Sequence, residues 1–456
     1  MARKDNPRKK EILQLVVADK HGKIYAVDYL QATGMKSGTF FKLAKKDLIE
    51  LPFGSELFIM PQRSSVGYDY QSKGFVAIDR NPYSKKKEPC FAVSAFISPG
   101  YTITYNASYI ENSHSKILPL FSYAAVCLYR DKFYVAATRV DKSTRQDLRF
   151  MSIPRIKTGI NKARKLFSKN RLFTHLERCA LCYNCPAAKN LFLKRHEAPL
   201  PTSPSCNSRC IGCISHQPDK RCAVTQPRIK FMPSSKDIAE VALFHIGNVR
   251  DAVVSFGQGC EGEPLLAGEA IEEAIKIIRQ KTEKGVINLN TNASKPEVVK
   301  RLFKAGLNSI RVSINSAQEK YYSRYYKPQG YKFNDVLKSI KIAKGAGGFV
   351  SLNYLVIPGF TDSKDEVKEF KRLLGKCKVD MVQLRNLNID PLYYFRELKI
   401  APDASGLCGI KELISDLKKE FPSIMLGYFN PSRGRIKRFK EVYLQFGLSR
   451  RLCLSL

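Results

Sequence analysis

Hydrophobic and polar positions along the chain follow two rhythms, and the rhythm changes near residue 200. Before it, short runs rich in β-branched and aromatic residues predict strands at 11–18, 56–61, 74–78, 90–97, 101–105, 123–129 and 133–139. Turn signals such as His21-Gly22, Asn81-Pro82 and Pro99-Gly100 separate them. This pattern predicts a β-rich N-terminal domain over residues 1–150. Residues 151–199 read as a basic connector, with a helix over 157–173. After residue 200, strands and helices alternate. Strands are predicted at 251–257, 286–290, 309–314, 349–357 and 381–387, and one more just before Cys206. Helices are predicted at 235–246, 268–284, 296–305, 334–344 and 364–377. Ser234-Ser235 caps the first of these helices and Gly306 closes the third.

Parallel strands with helical crossovers at this rhythm define an α/β fold, here a partial (β/α)6 TIM-type barrel over residues 200–395. Residues 396–456 form a C-terminal extension. It looks like one more helix and strand, 409–420 and 423–428, and then a basic tail.

Composition changes this picture little. The chain has 456 residues, 44% hydrophobic and 26% charged, as expected of a globular protein. No run of eighteen apolar residues exists, so no membrane-spanning helix is expected. The N-terminal segment is basic and lacks the apolar stretch of a signal peptide, which leads us to expect a cytoplasmic protein. The net charge of +36 attracts anions, RNA among them. Lysine is nevertheless scattered over most predicted helices, and only 155–171 and 433–440 are denser.

Cysteine changes the picture more. Of thirteen cysteines, six crowd between Cys179 and Cys213, which points to metal binding rather than disulfides. Cys206, Cys210 and Cys213 stand at C-x3-C-x2-C spacing in one loop, so three soft thiolates can face one centre. Three ligands on a four-iron cube leave one iron open for chemistry. A second run, Cys179, Cys182 and Cys185 followed by Pro186, resembles the start of a ferredoxin-type loop. Its fourth ligand must come from elsewhere. Cys222 is the first choice, and Cys260 and His175 are the others. A second iron–sulfur cluster and a zinc ion both suit this run. The last four residues, Cys453 to Leu456, match a prenylation box except at Ser455.

In barrels of this kind the active site lies at the C-terminal ends of the strands. The cysteine loop follows the first strand. Gly257 to Pro264 follows the second, and Asn290-Thr291-Asn292 ends the third. Ser313 to Ser316 ends the fourth. Asn353 lies on the fifth, and Gln383, Arg385 and Asn386 on the sixth.

This constellation resembles the radical SAM superfamily over roughly residues 200–390. The resemblance implies that Cys206, Cys210 and Cys213 bind a [4Fe-4S] cluster and that S-adenosylmethionine completes the open iron. It implies that Gly262 and Glu263 hold the methionine amino group. Asn292 belongs to the Thr-Asn strand end that completes the pattern. Ser313 and Asn353 are candidates for the ribose, and Arg324 for the methionine carboxylate. Two positions depart from the family pattern: Glu261 replaces a glycine, and Gly212 replaces a hydrophobic residue that contacts adenine. The implied reaction is reductive cleavage of S-adenosylmethionine to a 5′-deoxyadenosyl radical that abstracts hydrogen from substrate. The electron donor would be flavodoxin- or ferredoxin-like. The substrate is open, and no catalytic residue beyond the cluster loop is assigned. An RNA-modifying enzyme and a non-catalytic iron–sulfur or zinc protein are the alternatives.

Overall fold

The computed structural model describes residues 12–439 and 441. The first residues of the basic N-terminal segment, the position of Lys440 in the basic tail, and the motif Cys453 to Leu456 lie outside the described residues.

Two sheets organise the chain. The first has 13 strands, all paired antiparallel, and runs from Gln14–Asp19 to Lys132–Arg139. Its longest strand, Ile24–Lys36, was not expected from sequence. Its second half is buried although it carries Gln31, Thr33 and Lys36. Each of these polar groups has a partner: Gln31 donates to the Leu43 carbonyl at 2.7 Å, and Lys36 pairs with Asp362 at 3.2 Å.

The second sheet has seven parallel strands in sequential order. They are β1 (Glu197–Pro199), β2 (Val253–Phe256), β3 (Val286–Thr291), β4 (Ser309–Ile314), β5 (Phe349–Val356), β6 (Met381–Asn386) and β7 (Met425–Gly427). The sheet is the curled half-barrel expected, with β7 added from the C-terminal extension by parallel pairing to β6.

The connector differs from its expectation. One helix becomes two, α1 (Ile153–Leu166) and α2 (Arg171–Leu181). The break falls at Asn170, whose side chain accepts from the Leu172 and Phe173 amides and so starts a new helix. A short α3 (Pro186–Phe192) follows. The remaining helices are α4 (Ser235–Asn248), α5 (Gly268–Lys281), α6 (Pro296–Ala305), α7 (Glu319–Tyr326), α8 (Phe333–Gly345), α9 (Lys364–Cys377), α10 (Pro391–Leu398) and α11 (Ile410–Glu420).

The two faces of the parallel sheet differ in chemistry. Register pairs Asn288 with Ser309, Asn290 with Arg311, Ser313 with Asn353, and Asn353 with Gln383. Paired residues share a face, so one face of the curl is polar. The alternate positions, Ile310, Val312, Leu352 and Leu384, are fully buried in the apolar core with the helices. Tyr354 stacks on Phe370 of α9 there, with ring centroids 3.9 Å apart. A buried polar lining inside a half-barrel is suited to a ligand rather than to packing.

Candidate active site

The cysteine loop leaves β1 and is fastened along its length. The Arg209 amide donates to the Tyr326 carbonyl at 2.9 Å, and the Ile211 amide to the Tyr325 carbonyl at 3.1 Å. Asn292, past the end of β3, donates through Nδ2 to Asn207 Oδ1 at 2.9 Å and Ser208 Oγ at 3.0 Å. The C-terminal end of α7 therefore clamps the loop from one side and the β3 end from the other. Gly212 is explained by this clamp: a Cβ there would lie 2.8 Å from the Tyr325 hydroxyl. The tyrosine occupies the space that a side chain at 212 would need.

The turn after β2 is strapped to the same loop. The Gly262 amide donates to the Ser203 carbonyl at 2.7 Å, and the Glu263 amide to the Ser205 carbonyl at 2.8 Å. A Cβ on Gly262 would sit 1.9 Å from the Ser205 oxygen, so only glycine fits this approach. Glu261, the departure from the family pattern, lines the same cavity, and its carboxylate is occupied by backbone donors. Its carboxylate accepts from the amides of Thr202 at 2.7 Å, Ser203 at 2.9 Å and Gln258 at 2.6 Å. It ties the β1 exit to the β2 turn.

Glu263 is buried. Oε1 accepts from the Leu265 amide at 3.0 Å and from the Thr291 hydroxyl, and Oε2 accepts from the Asn292 amide at 2.8 Å. Burial pushes its pKa up to about 7 against the pull of these hydrogen bonds. A carboxylate has about four acceptor positions, so one remains for a further donor. A cationic donor there would restore the ionised form.

Cys206, Cys210 and Cys213 line one cavity of about 380 Å³ together with Gly262, Glu263, Asn292, Ser313 and Asn353. Burial raises the Cys210 thiol well above its ordinary value and Cys206 to about 11. Such thiols ionise when a metal supplies the countercharge. Asn353 donates to Ser313 Oγ at 3.2 Å, and its own Oδ1 is buried without a partner among the described residues. Three thiols, a buried carboxylate and an unpaired amide oxygen around one cavity fit a cluster and a ligand bearing an ammonium and hydroxyls.

Arg324 does not join this group. It is exposed on α7 and donates to the Leu398 carbonyl at the end of α10 at 2.5 Å. It is not part of the cavity lining, so the structure does not bring it together with the other residues expected to meet S-adenosylmethionine. Strand-end polarity also misled at Asn315 and Ser316, which bond Tyr394 and Glu366 inside the core. Asn386 lines the cavity but is engaged with the N-terminal sheet, accepting from the Ile103 amide at 2.9 Å.

Two cationic residues of the cavity, Arg228 and Arg311, were not expected from sequence. Arg228 reaches Cys213 Sγ at 3.6 Å. Arg311 faces Arg385, and burial first, then that neighbouring charge, brings it down to about 9. Period-two polarity through Ser309, Arg311 and Ser313 was the available signal for the second. Phe96, Ile97, Pro99 and Ser122 of the N-terminal segment complete the wall.

The second cysteine run does not close on itself. Cys182 is exposed just past α2, whereas Cys179 is buried within it. Cys222 is half-buried and is not among the donors grouped with Cys179. The residues drawn to Cys179 are His175 and Cys260, so Cys222 is set aside as its partner.

The family model described as Radical SAM superfamily matches residues 200–374. An uncharacterized protein of Methanocaldococcus jannaschii, MJ0804, is 27% identical over 223 residues, covering 46% of this chain and 68% of that protein. Among solved structures, native anSMEcpe with bound AdoMet is 17% identical, with a TM-score of 0.37 over 50% of this chain. The chain spans 63% of that structure's length. Methylornithine synthase (PylB) is likewise 17% identical with a TM-score of 0.37, covering 58% of this chain and 74% of its own.

Proposed function

We propose that this chain, whose residues 200–374 match the radical SAM superfamily model, binds a [4Fe-4S] cluster and S-adenosylmethionine in the cavity and performs radical chemistry on an anionic substrate. Cys206, Cys210 and Cys213 are the cluster ligands in this reading. The observation that carries it is the convergence of these thiols with Glu263, Ser313 and Asn353 on one cavity. Bound together, and charged by a low-potential electron donor, the two cofactors supply one-electron cleavage at the sulfonium and a radical that takes hydrogen from substrate.

The chain's own residues orient and insulate. Glu263 meets the methionine ammonium with its remaining acceptor position. Ser313 and Asn353 meet the ribose hydroxyls. Phe96, Ile97 and Pro99 limit the access of water to the radical. The cation pair Arg311 and Arg385 supports the substrate class. Arg311 Nε is buried without a partner, and neither side chain forms an ion pair among the described residues. Two such cations in one cavity suit a carboxylate or phosphate.

The test is release of 5′-deoxyadenosine by anaerobically reconstituted protein given S-adenosylmethionine and strong reductant. Turnover that is lost in Cys210→Ala is expected. A fully loaded cluster that yields no product refutes the reading. Arg385→Met should leave this uncoupled cleavage in place and weaken turnover with the anionic substrate. Salt-sensitive RNA binding with modified nucleotides would instead favour the RNA-modifying alternative.

A further inference from the structure

Outside the cavity, among the described residues, the one group of three metal-type donors that closes on itself is His175, Cys179 and Cys260, whose ligand atoms all lie within 4.8 Å of one another. His175 and Cys179 stand one helical turn apart on α2 and share a face. Cys260 arrives from the turn after β2. The His175 Nε2 to Cys179 Sγ distance is 3.4 Å. Metal–sulfur and metal–nitrogen bonds of about 2.3 and 2.0 Å at a tetrahedral angle put the two donor atoms about 3.5 Å apart. Ligands of a four-iron cube each bind a different iron and so must stand wider than the edge of a single tetrahedron. Cys179 and Cys260 are both buried, at 1% and 4% exposure. Gln226 Nε2 donates to Cys179 Sγ at 3.5 Å, the kind of outer hydrogen bond that orients a thiolate ligand.

We propose that His175, Cys179 and Cys260 bind a single tetrahedral zinc ion, with Cys185 as the fourth ligand. Cys185 is folded back beside Cys179, its amide donating to the Cys179 carbonyl at 3.0 Å. Its thiol stands outside the three donors that lie within 4.8 Å of one another, so it joins the ion by rotating about its Cα–Cβ bond. Two elements distant in sequence, α2 and the β2 turn, are stapled by this ion. Cys260 lies three residues before Glu263, so the staple holds the turn that carries the candidate ammonium site. The site stands on these donors alone and does not depend on the radical SAM reading of the cavity.

The experiment is metal analysis of the full chain purified anaerobically, with cobalt exchange as an optical probe. The triple variant C206A/C210A/C213A removes the core ligands and isolates this site. It should retain about one zinc per chain, and cobalt in its place should give tetrahedral absorption with thiolate charge transfer. Cys260→Ser and His175→Ala should weaken zinc binding by about tenfold or more, whereas Cys222→Ser should leave it unchanged. Cys185→Ser should weaken it as well, and no change there overturns the fourth ligand. Iron–sulfur absorption in the triple variant overturns the proposal. So does a Cys179–Cys260 disulfide in metal-free protein, or zinc retained in Cys260→Ser. Because the wild-type chain and the triple variant are themselves measured, a Cys260→Ser chain that fails to fold leaves the test intact.

Discussion

Asp390→Asn is expected to loosen the N-terminal sheet from the half-barrel. Asp390 is fully buried, and its two oxygens have separate duties. Oδ1 caps α10 through the Leu392 amide at 3.1 Å and accepts from the Tyr109 hydroxyl at 3.0 Å. Oδ2 accepts from Arg63 Nη2 at 3.0 Å and the Leu118 amide at 3.1 Å. Asparagine keeps the shape and the cap but turns an amide donor, or an uncharged oxygen, toward Arg63. Arg63 is only 2% exposed and cannot swing to solvent. Breaking one side of a buried pair costs about 3–5 kcal/mol. Glu111, at 3.2 Å and one-fifth exposed, stays with Arg63 and offsets roughly 1 kcal/mol. The net loss is about 3 kcal/mol, which is about a hundredfold faster hydrogen exchange at amides protected by this docking. The assay is native-state exchange read at Arg63–Asp69 and Leu118, since with two sheets a single global unfolding energy is not well defined. Arg63→Met in the Asp390→Asn background removes the stranded cation and should recover at least half of the loss. Exchange accelerated by less than about threefold in the single variant, or a double variant worse than the single, refutes the buried-charge reasoning.

Three further outcomes follow from the site and the core. Gly262→Ala forces a methyl against the Ser205 carbonyl and should weaken S-adenosylmethionine binding by about tenfold or more in equilibrium dialysis, with the fold retained. Arg324→Ala should leave that affinity within about twofold, because the side chain serves α10 and not the cavity. His245, 1% exposed, is held neutral by burial, its pKa brought from 6.5 down to about 4. A depressed histidine contributes stability that is present above 6.5 and lost as pH falls toward 4, about 3 kcal/mol in all. His245→Leu should flatten the acid limb of stability measured by circular dichroism.

The half-barrel was legible because its strands and helices repeat at regular lengths, with a helical period on one side and short apolar runs on the other. The helices over 296–305 and 364–377 and the strand over 309–314 fall at their expected bounds. The long strand Ile24–Lys36 was not legible, because its buried polar residues break the alternation and their partners, Leu43 and Asp362, lie elsewhere in the chain. Helices α7 and α10 are rich in tyrosine, which carries little helical signal of its own. The cysteine loop and its Gly262-Glu263 turn were readable as spacing. The fate of Arg324 was not, since helix rotation decides it. Nor was the partner of Cys179: the C-x2-C-x2-C spacing suggests one local loop, but α2 runs through Leu181 and leaves Cys182 at its exposed end.

The two departures from the family pattern are compensations within one network. Glu261 occupies a position where glycine would leave the Thr202 and Ser203 amides without their acceptor. By taking both, it fixes the strand exit from which the cysteine loop starts. Gly212 yields its space to the Tyr325 hydroxyl, and the backbone of that same tyrosine holds Ile211. The cavity wall that a side chain at 212 would have supplied is thus supplied by a tyrosine from α7. A paired exchange tests whether this is substitution rather than loss. Gly212→Val alone should clash and empty the loop of its cluster. With Tyr325→Ala to vacate the volume, cluster content should return, because both changes together conserve the apolar wall.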